Sequence, residues 1–255
     1  MKNLRKRLAC LLLSALLLIG CLPVTALAAE NGFILVVEAG GKLVIAPEYI
    51  SCTAGQTAAQ ALSASGHTFT GLDTGMISAI DGVTGNFTRS DENGNYDLSV
   101  SAASIGYLRF SEDMDSKPSD GLKQLMTAMA DYKKKGSDVQ AAAKKEYDTA
   151  SDLFVGINSE SAKTLASNLN DAVRNYEDTL TGEHYAVRFT DGSAAYSDDN
   201  YPGVSITAVN AYGKQWTDDG NGVLEMPKGD YTFCVEQAGL RVEGKITVSA
   251  AATVS

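Results

Sequence analysis

The chain has 255 residues, 44% of them hydrophobic and 20% charged, with 21 Lys+Arg against 31 Asp+Glu and a formal net charge of −10. That acidic balance disfavours nucleic acid and anionic lipid as partners, since both carry charge of the same sign. The length calls for more than one modest core, and four cysteines spread over it do not make a disulfide framework.

The first expected element is a targeting segment. Lys2, Arg5, Lys6 and Arg7 form a basic start, residues 8–22 are an apolar run, and Ala26-Leu27-Ala28 has the small-x-small form of a secretory cleavage site. Pro23 interrupts the run, which is shorter than the ~20 apolar residues of a membrane span, so no span is expected. A second cleavage reading stands beside the first, because Leu18-Ile19-Gly20-Cys21 has the form of a lipoprotein box and would leave Cys21 as a lipid anchor. Either way the working chain is extracellular, released or held at the cell surface. Taking residues 1–28 away removes four of the 21 basic residues and no acidic one, which leaves 17 against 31 and a charge of −14 on 227 residues. Cys10 and Cys21 go with that segment, and Cys52 and Cys234 are expected as free thiols in separate domains.

Residues 29–113 read as a β-grasp-like domain. The β-rich runs 33–38 and 42–46 are joined through Gly40-Gly41, a pair suited to a tight hairpin turn. Thr53-Ala54-Gly55-Gln56 has capping-box spacing and precedes a short helix over 57–65, stopped by Gly66. Strands are expected over 76–80, 83–89 and 105–110, the first two turning at Asp81-Gly82. Asp91, Asn93, Asn95 and Asp97 alternate like the start of a calcium loop. Gly94 comes too early for that loop, however, and Ala102 stands where its bidentate Glu belongs, so a polar turn and no metal site are expected.

Over residues 116–181 the apolar period lengthens to about 3.6. Leu122, Leu125, Met126, Met129 and Tyr132 mark a first helix that ends at Gly136. Ser137-x-x-Gln140 is expected to cap a second, with Val139, Ala143, Tyr147, Ala150 and Phe154 on its inner face. A third carries Ala162, Leu165, Leu169, Ala172, Tyr176 and Leu180. Short connections between amphipathic helices predict a three-helix antiparallel bundle acting as a spacer or brace.

From residue 184 to 249 alternation returns. Tyr185, Val187 and Phe189 share a face, Asp191-Gly192 turns the chain, and runs at 204–209, 223–226, 231–235 and 241–248 follow at close spacing. This pattern predicts a small antiparallel β-sandwich with a structureless tail over 250–255. The fold class expected for the whole is multidomain α+β.

Three resemblances attach to these blocks. Thr217-Asp218-Asp219-Gly220-Asn221-Gly222 followed by Met226-Pro227-Lys228-Gly229-Asp230-Tyr231 resembles the prealbumin-like and collagen-adhesin B-type sandwich repeats of bacterial surface proteins. Ala54-Gly55-Gln56-Thr57-Ala58-Ala59-Gln60-Ala61-Leu62, with Ile77-Ser78-Ala79-Ile80-Asp81-Gly82-Val83, is similar to the β-grasp domains of Gram-positive surface proteins related to the C-terminal domain of transcobalamin. The helical block resembles the spacer repeats of cell-wall proteins. Together they imply a modular, Ig-like or prealbumin-like surface protein.

Candidate chemistry is sparse. His67 and His184 are the only neutral-pH acid–base groups, and neither has a local partner at catalytic spacing. No catalytic residue and no cofactor is therefore expected, and the chain reads as a non-enzyme. Tyr196, Tyr201, Tyr212 and the single tryptophan, Trp216, fall in or beside Gly/Asp-rich loops, where ring faces can stack on sugars or peptide side chains. They are the expected ligand-binding surface of an adhesion or binding module, with an extracellular protein or a glycan as partner. Capture of a carbohydrate or small nutrient is the alternative reading, and the sequence specifies no oligomeric state.

Overall fold

The computed structural model describes residues 31–91, 97–112 and 118–255, so the leader segment, Asn93 and Asn95 lie outside the described residues. Strands β1 (Gly32–Ala39) and β2 (Lys42–Ser51) form an antiparallel hairpin across Gly40 and Gly41, whose φ angles of 58° and 71° suit the two-residue turn that matches strand twist. Short β3 (Phe69–Thr70), β4 (Ala79–Ile80) and β5 (Val83–Thr84) make a small separate sheet, β4 turning into β5 at Asp81-Gly82. β6 (Thr88–Asp91) and β7 (Tyr107–Ser111) complete a four-stranded main sheet in the order β2-β1-β7-β6, with β1 parallel to β7 and the other pairs antiparallel. The single strand expected over 83–89 is thus two strands in two sheets. Asp91, read as part of a polar turn, is a buried strand residue whose carbonyl accepts a hydrogen bond from the Tyr107 hydroxyl at 3.0 Å.

Helix α1 (Ala58–Ala64) covers one face of the main sheet, burying Ala58, Ala61 and Leu62 against Phe33, Leu35, Val37, Leu108 and Phe110. Its capping box is Thr57 with Gln60, four residues later than Thr53 with Gln56. In the first set Gln56 Oε1 also accepts from Thr53 N, at 2.9 Å, but the Gln56 amide donates to the Thr53 carbonyl instead of its hydroxyl, and Gly55 at φ 82° turns the chain out of helical conformation.

The opposite face of the same sheet packs on helices α2 (Asp120–Lys133), α3 (Ser137–Leu153) and α4 (Ser159–Thr181). Val36 and Tyr107 of the sheet share one core with Leu125, Met126 and Met129 of α2, Val139 and Ala143 of α3, and Ala166, Leu169 and Val173 of α4. The boundary expected between 113 and 116 is therefore no break in packing. β1 reads as an almost continuous apolar run because it is covered on both sides. Ser119 and Asn158 cap α2 and α4 through their side chains, whereas α3 starts from Gly136 with no side-chain cap. Ser137 is already helical, and Gln140 reaches back instead, donating to the carbonyls of Lys133 and Lys135 at 3.1 and 2.7 Å. α2 and α4 approach closely at Gly121, where an added Cβ would lie 1.9 Å from the Ser159 carbonyl oxygen.

The last block is two facing sheets. Strands β8 (His184–Phe189), β11 (Val223–Pro227) and β14 (Ala252–Val254) lie in the order β11-β8-β14, and β9 (Ser205–Asn210), β10 (Gln215–Thr217), β12 (Gly229–Gln237) and β13 (Leu240–Val248) in the order β10-β9-β12-β13. Val187, Phe189, Leu224 and Met226 of the first meet Ile206, Ala208, Tyr231 and Phe233 of the second. The stretch 250–255, expected as a structureless tail, supplies β14, which runs parallel to β8. Three residues are too few to display an alternation, so that strand has no signature of its own and depends on the open edge of β8. Cys52 and Cys234 are half-buried free thiols. No helix among the described residues is long and apolar enough to cross a membrane, and those residues form a mixed α/β structure with four α-helices and several small sheets.

Candidate functional site

Between helices α3 and α4 and the sandwich lies a cleft of about 510 Å³ whose walls carry four aromatic rings, those of Tyr176, Tyr212, Trp216 and Tyr231. Strand register explains how three of them come together. Trp216 on β10 is opposite Ala208 of β9, and Tyr231 on β12 is opposite Asn210, two residues further along the same face of β9. The indole and the phenol meet edge to face at 5.1 Å and 88°. Tyr212 sits in the β9–β10 turn, which Asn210 organises by accepting hydrogen bonds from the amides of Tyr212 and Lys214 at 3.0 and 2.9 Å.

The fourth ring arrives from α4. Tyr176 packs edge to face on Tyr212 at 5.0 Å and 72°, and its hydroxyl accepts from Asn210 Nδ2 at 3.0 Å while donating to Asp138 at 3.2 Å. Burial raises the Tyr176 phenol above its usual range, the Asn210 hydrogen bond pulling the other way and Asp138 adding to the rise. Burial likewise pushes Tyr231 up to about 12, and its hydroxyl donates to the Pro227 carbonyl at 2.7 Å. Both phenols stay neutral at physiological pH and act as fixed walls. The exposed rim adds Asn175, Lys228 and Asp230, with half-buried Glu146 below it.

Of the four aromatics expected from the sequence to form the contact surface, the structure places Tyr212 and Trp216 in this cleft. Tyr196 and Tyr201 are paired elsewhere, 5.1 Å apart, bracing the loop between β8 and β9. The Tyr201 hydroxyl donates to Asp191, which together with the amides of Ala194 and Ser193 holds that carboxyl well below its usual range. No family model, curated protein or solved structure matches the chain. Tyr176 and Tyr231 escaped the sequence reading because their periodicity marks them only as core, and Asn210 because it lies just past the 204–209 run. Their one signal was polarity, a hydroxyl or amide at each core-facing position, which needs a partner when buried.

Two other places hold concentrated polar chemistry. His67 lies between Glu48, 2.5 Å from Nε2, and Asp81, 2.7 Å from Nδ1, and Glu48 also accepts from Lys133 Nζ at 2.9 Å. Burial pulls the imidazole pKa down, but hydrogen bonds and charge from Glu48 and Asp81 outweigh it and the net shift is upward. Burial raises the Glu48 carboxyl, and His67 and Lys133 more than reverse that. With both ring nitrogens donating to carboxylates, the imidazolium has no lone pair to serve as a base, and it ties β2, the β4–β5 turn and α2 together. His184 is exposed beside the Leu180 carbonyl.

A second cleft, of about 410 Å³, opens by the β1–β2 turn over buried Glu38 and Arg109. Those two charges already neutralise one another through a bidentate pair at 2.6 and 3.1 Å, so it offers a ligand less than the aromatic cleft does. Asp198 and Asp218 spend their carboxylates on backbone amides of nearby turns. Among the described residues no group of three or more His, Cys, Asp or Glu is disposed to hold a metal ion.

Proposed function

We propose that this chain is an exported, non-catalytic binding module of the cell surface or its surroundings, and that the aromatic cleft is its contact site. The observation that carries the reading is the meeting of four rings from α4, β10, β12 and the β9–β10 turn around open space with a polar rim, a composition typical of recognition sites. The basic, apolar and small-residue succession of residues 1–28 supports export, with Ala28 or Cys21 as the boundary of the working chain. In the same reading residues 29–113 form a β-grasp-like domain, which the strand order β2-β1-β7-β6 with a parallel central pair and one covering helix supports. Residues 116–181 are an antiparallel three-helix bundle that braces it against a prealbumin-like sandwich over 184–249, to which 252–254 add the edge strand β14. The partner is an extracellular protein or glycan.

Two measurements test this. Mass spectrometry of the protein made in its own host is expected to find a chain that starts at Ala29 or at acylated Cys21, and an intact Met1 in the cytoplasmic fraction would overturn export. Surface plasmon resonance against collagen, fibronectin, laminin and an array of neutral glycans is expected to give saturable binding to at least one surface. The double variant Tyr212→Ala/Trp216→Ala is expected to abolish it. A silent panel, or binding indifferent to that variant, would overturn the cleft as contact site.

A further inference from the structure

The chemistry of the cleft narrows what can occupy it. Its volume of about 510 Å³ suits a small ligand or a short segment of a longer one. The four rings are not arranged as one closed cage. They form two edge-to-face couples, Tyr176 with Tyr212 and Trp216 with Tyr231, and each couple spends one ring face on its neighbour's edge. What is left is a pair of platforms along the cleft, which favours an extended ligand over a compact one.

Charge narrows it further. The lining carries Lys228 on one hand and Glu146 and Asp230 on the other, and one Asp230 oxygen already accepts from the Thr247 hydroxyl at 2.6 Å. A quaternary ammonium ion is best held by a closed aromatic cage, which two separate edge-to-face couples do not form, and a polyanion would meet Glu146 and Asp230 in a chain of net charge −10. A neutral ligand meets neither obstacle. It must also offer flat apolar faces to the rings and groups that both donate and accept to the carboxylates, the Asn175 amide and the Lys228 ammonium.

Pyranose rings meet all of these demands. The axial C–H bonds of a sugar make an apolar face that stacks on an aromatic ring, and the hydroxyls around its edge donate to carboxylates and accept from ammonium and amide groups. We propose that the cleft between α3, α4 and the sandwich binds a short neutral saccharide, stacked on Trp216 and Tyr212 and held at its edges by Glu146, Asn175, Lys228 and Asp230. This rests on the reading of the chain as a binding module with its contact site in the cleft.

Trp216 is the single tryptophan of the chain and lines the cleft, so its fluorescence reports occupancy directly. The experiment titrates the purified chain with chitotriose, cellotriose, maltotriose and mannotriose, then with an array of neutral glycans, following Trp216 emission and the heat of binding. At least one glycan is expected to shift the emission saturably. Tyr212→Ala is expected to weaken that binding by about tenfold or more. Tyr212 is 44% exposed, so its removal leaves the core intact, and Leu240→Ser, on the exposed edge of β13, is expected to leave binding unchanged. An array that leaves the emission still overturns the proposal, as does a glycan bound with equal strength by Tyr212→Ala, or saturation by tetramethylammonium alone. If the glycans are silent while a matrix protein still binds in a manner that needs Tyr212 and Trp216, only the saccharide falls and the binding-module reading stands. If both are silent, both fall.

Discussion

The helices meet their two neighbours in opposite ways. Towards the main sheet they close an apolar core around Val36 and Tyr107 and add charged clasps from the end of α2, Lys133 to Glu48 at 2.9 Å and Lys134 over the Tyr49 ring at 3.6 Å. Towards the sandwich they leave about 510 Å³ of space bordered by rings, crossed by the Asn210–Tyr176–Asp138 hydrogen bonds. The first junction is organised for stability, because apolar area removed from water is its main contribution. The second keeps aromatic and polar surface available, at the cost of burial it could have had. In the proposed reading, stability and recognition fall on opposite sides of the same helices.

The division can be broken most severely at the closed side. Phe154, 1% exposed at the end of α3, is expected to cost about 3–5 kcal/mol when changed to Ala, read as a lower midpoint of urea unfolding. An effect below about 1 kcal/mol would mean that the helices do not share a close-packed core. Gly121→Ala forces its Cβ onto the Ser159 carbonyl, so α2 and α4 must part, at about 1–3 kcal/mol by the same measurement.

A gentler probe is pH. The folded pKa of His67 is raised, so its clamp contributes stability that is fully present below the unfolded value of about 6.5 and is lost as pH rises through the folded value. Thermal midpoints are expected to fall for the native chain as pH climbs from about 6 towards 8, and to stay flatter in His67→Gln. Parallel profiles for the two proteins would remove the clamp from the closed junction. The smallest stability effect is expected on the open side, where Tyr212→Ala should change unfolding by no more than about 0.5 kcal/mol. A larger loss would make Tyr212 part of the core and dissolve the contrast between the junctions.

Elements with local causes were legible in the sequence. Gly40-Gly41 and Asp81-Gly82 turn where their φ > 0 chemistry says they should, and the stripes of α2 and α3 bury the side chains that their period selects. Ala238-Gly239 shows the limit of that logic. It joins β12 to β13 with φ angles of 50° and 83°, yet alanine carries no turn signal, so the strands imposed the turn on it. The candidate site was half legible. Tyr212 and Trp216 stood out as aromatics in polar loops, while Tyr196 and Tyr201 looked identical by that criterion and brace a loop instead.

What the sequence by itself determined were turns, helix stops, strand and helix periods and the acidic balance, since each depends on residues a few positions apart or on a sum over the chain. Only the tertiary structure decided that one sheet is covered on both faces, that 252–254 form a strand on β8, that His67 lies between carboxylates 19 and 14 residues away, and that Tyr176 closes an aromatic cleft with residues 34 or more positions later. Those outcomes depend on which surfaces meet, and surface matching is a property of assembled elements that no short window of residues contains.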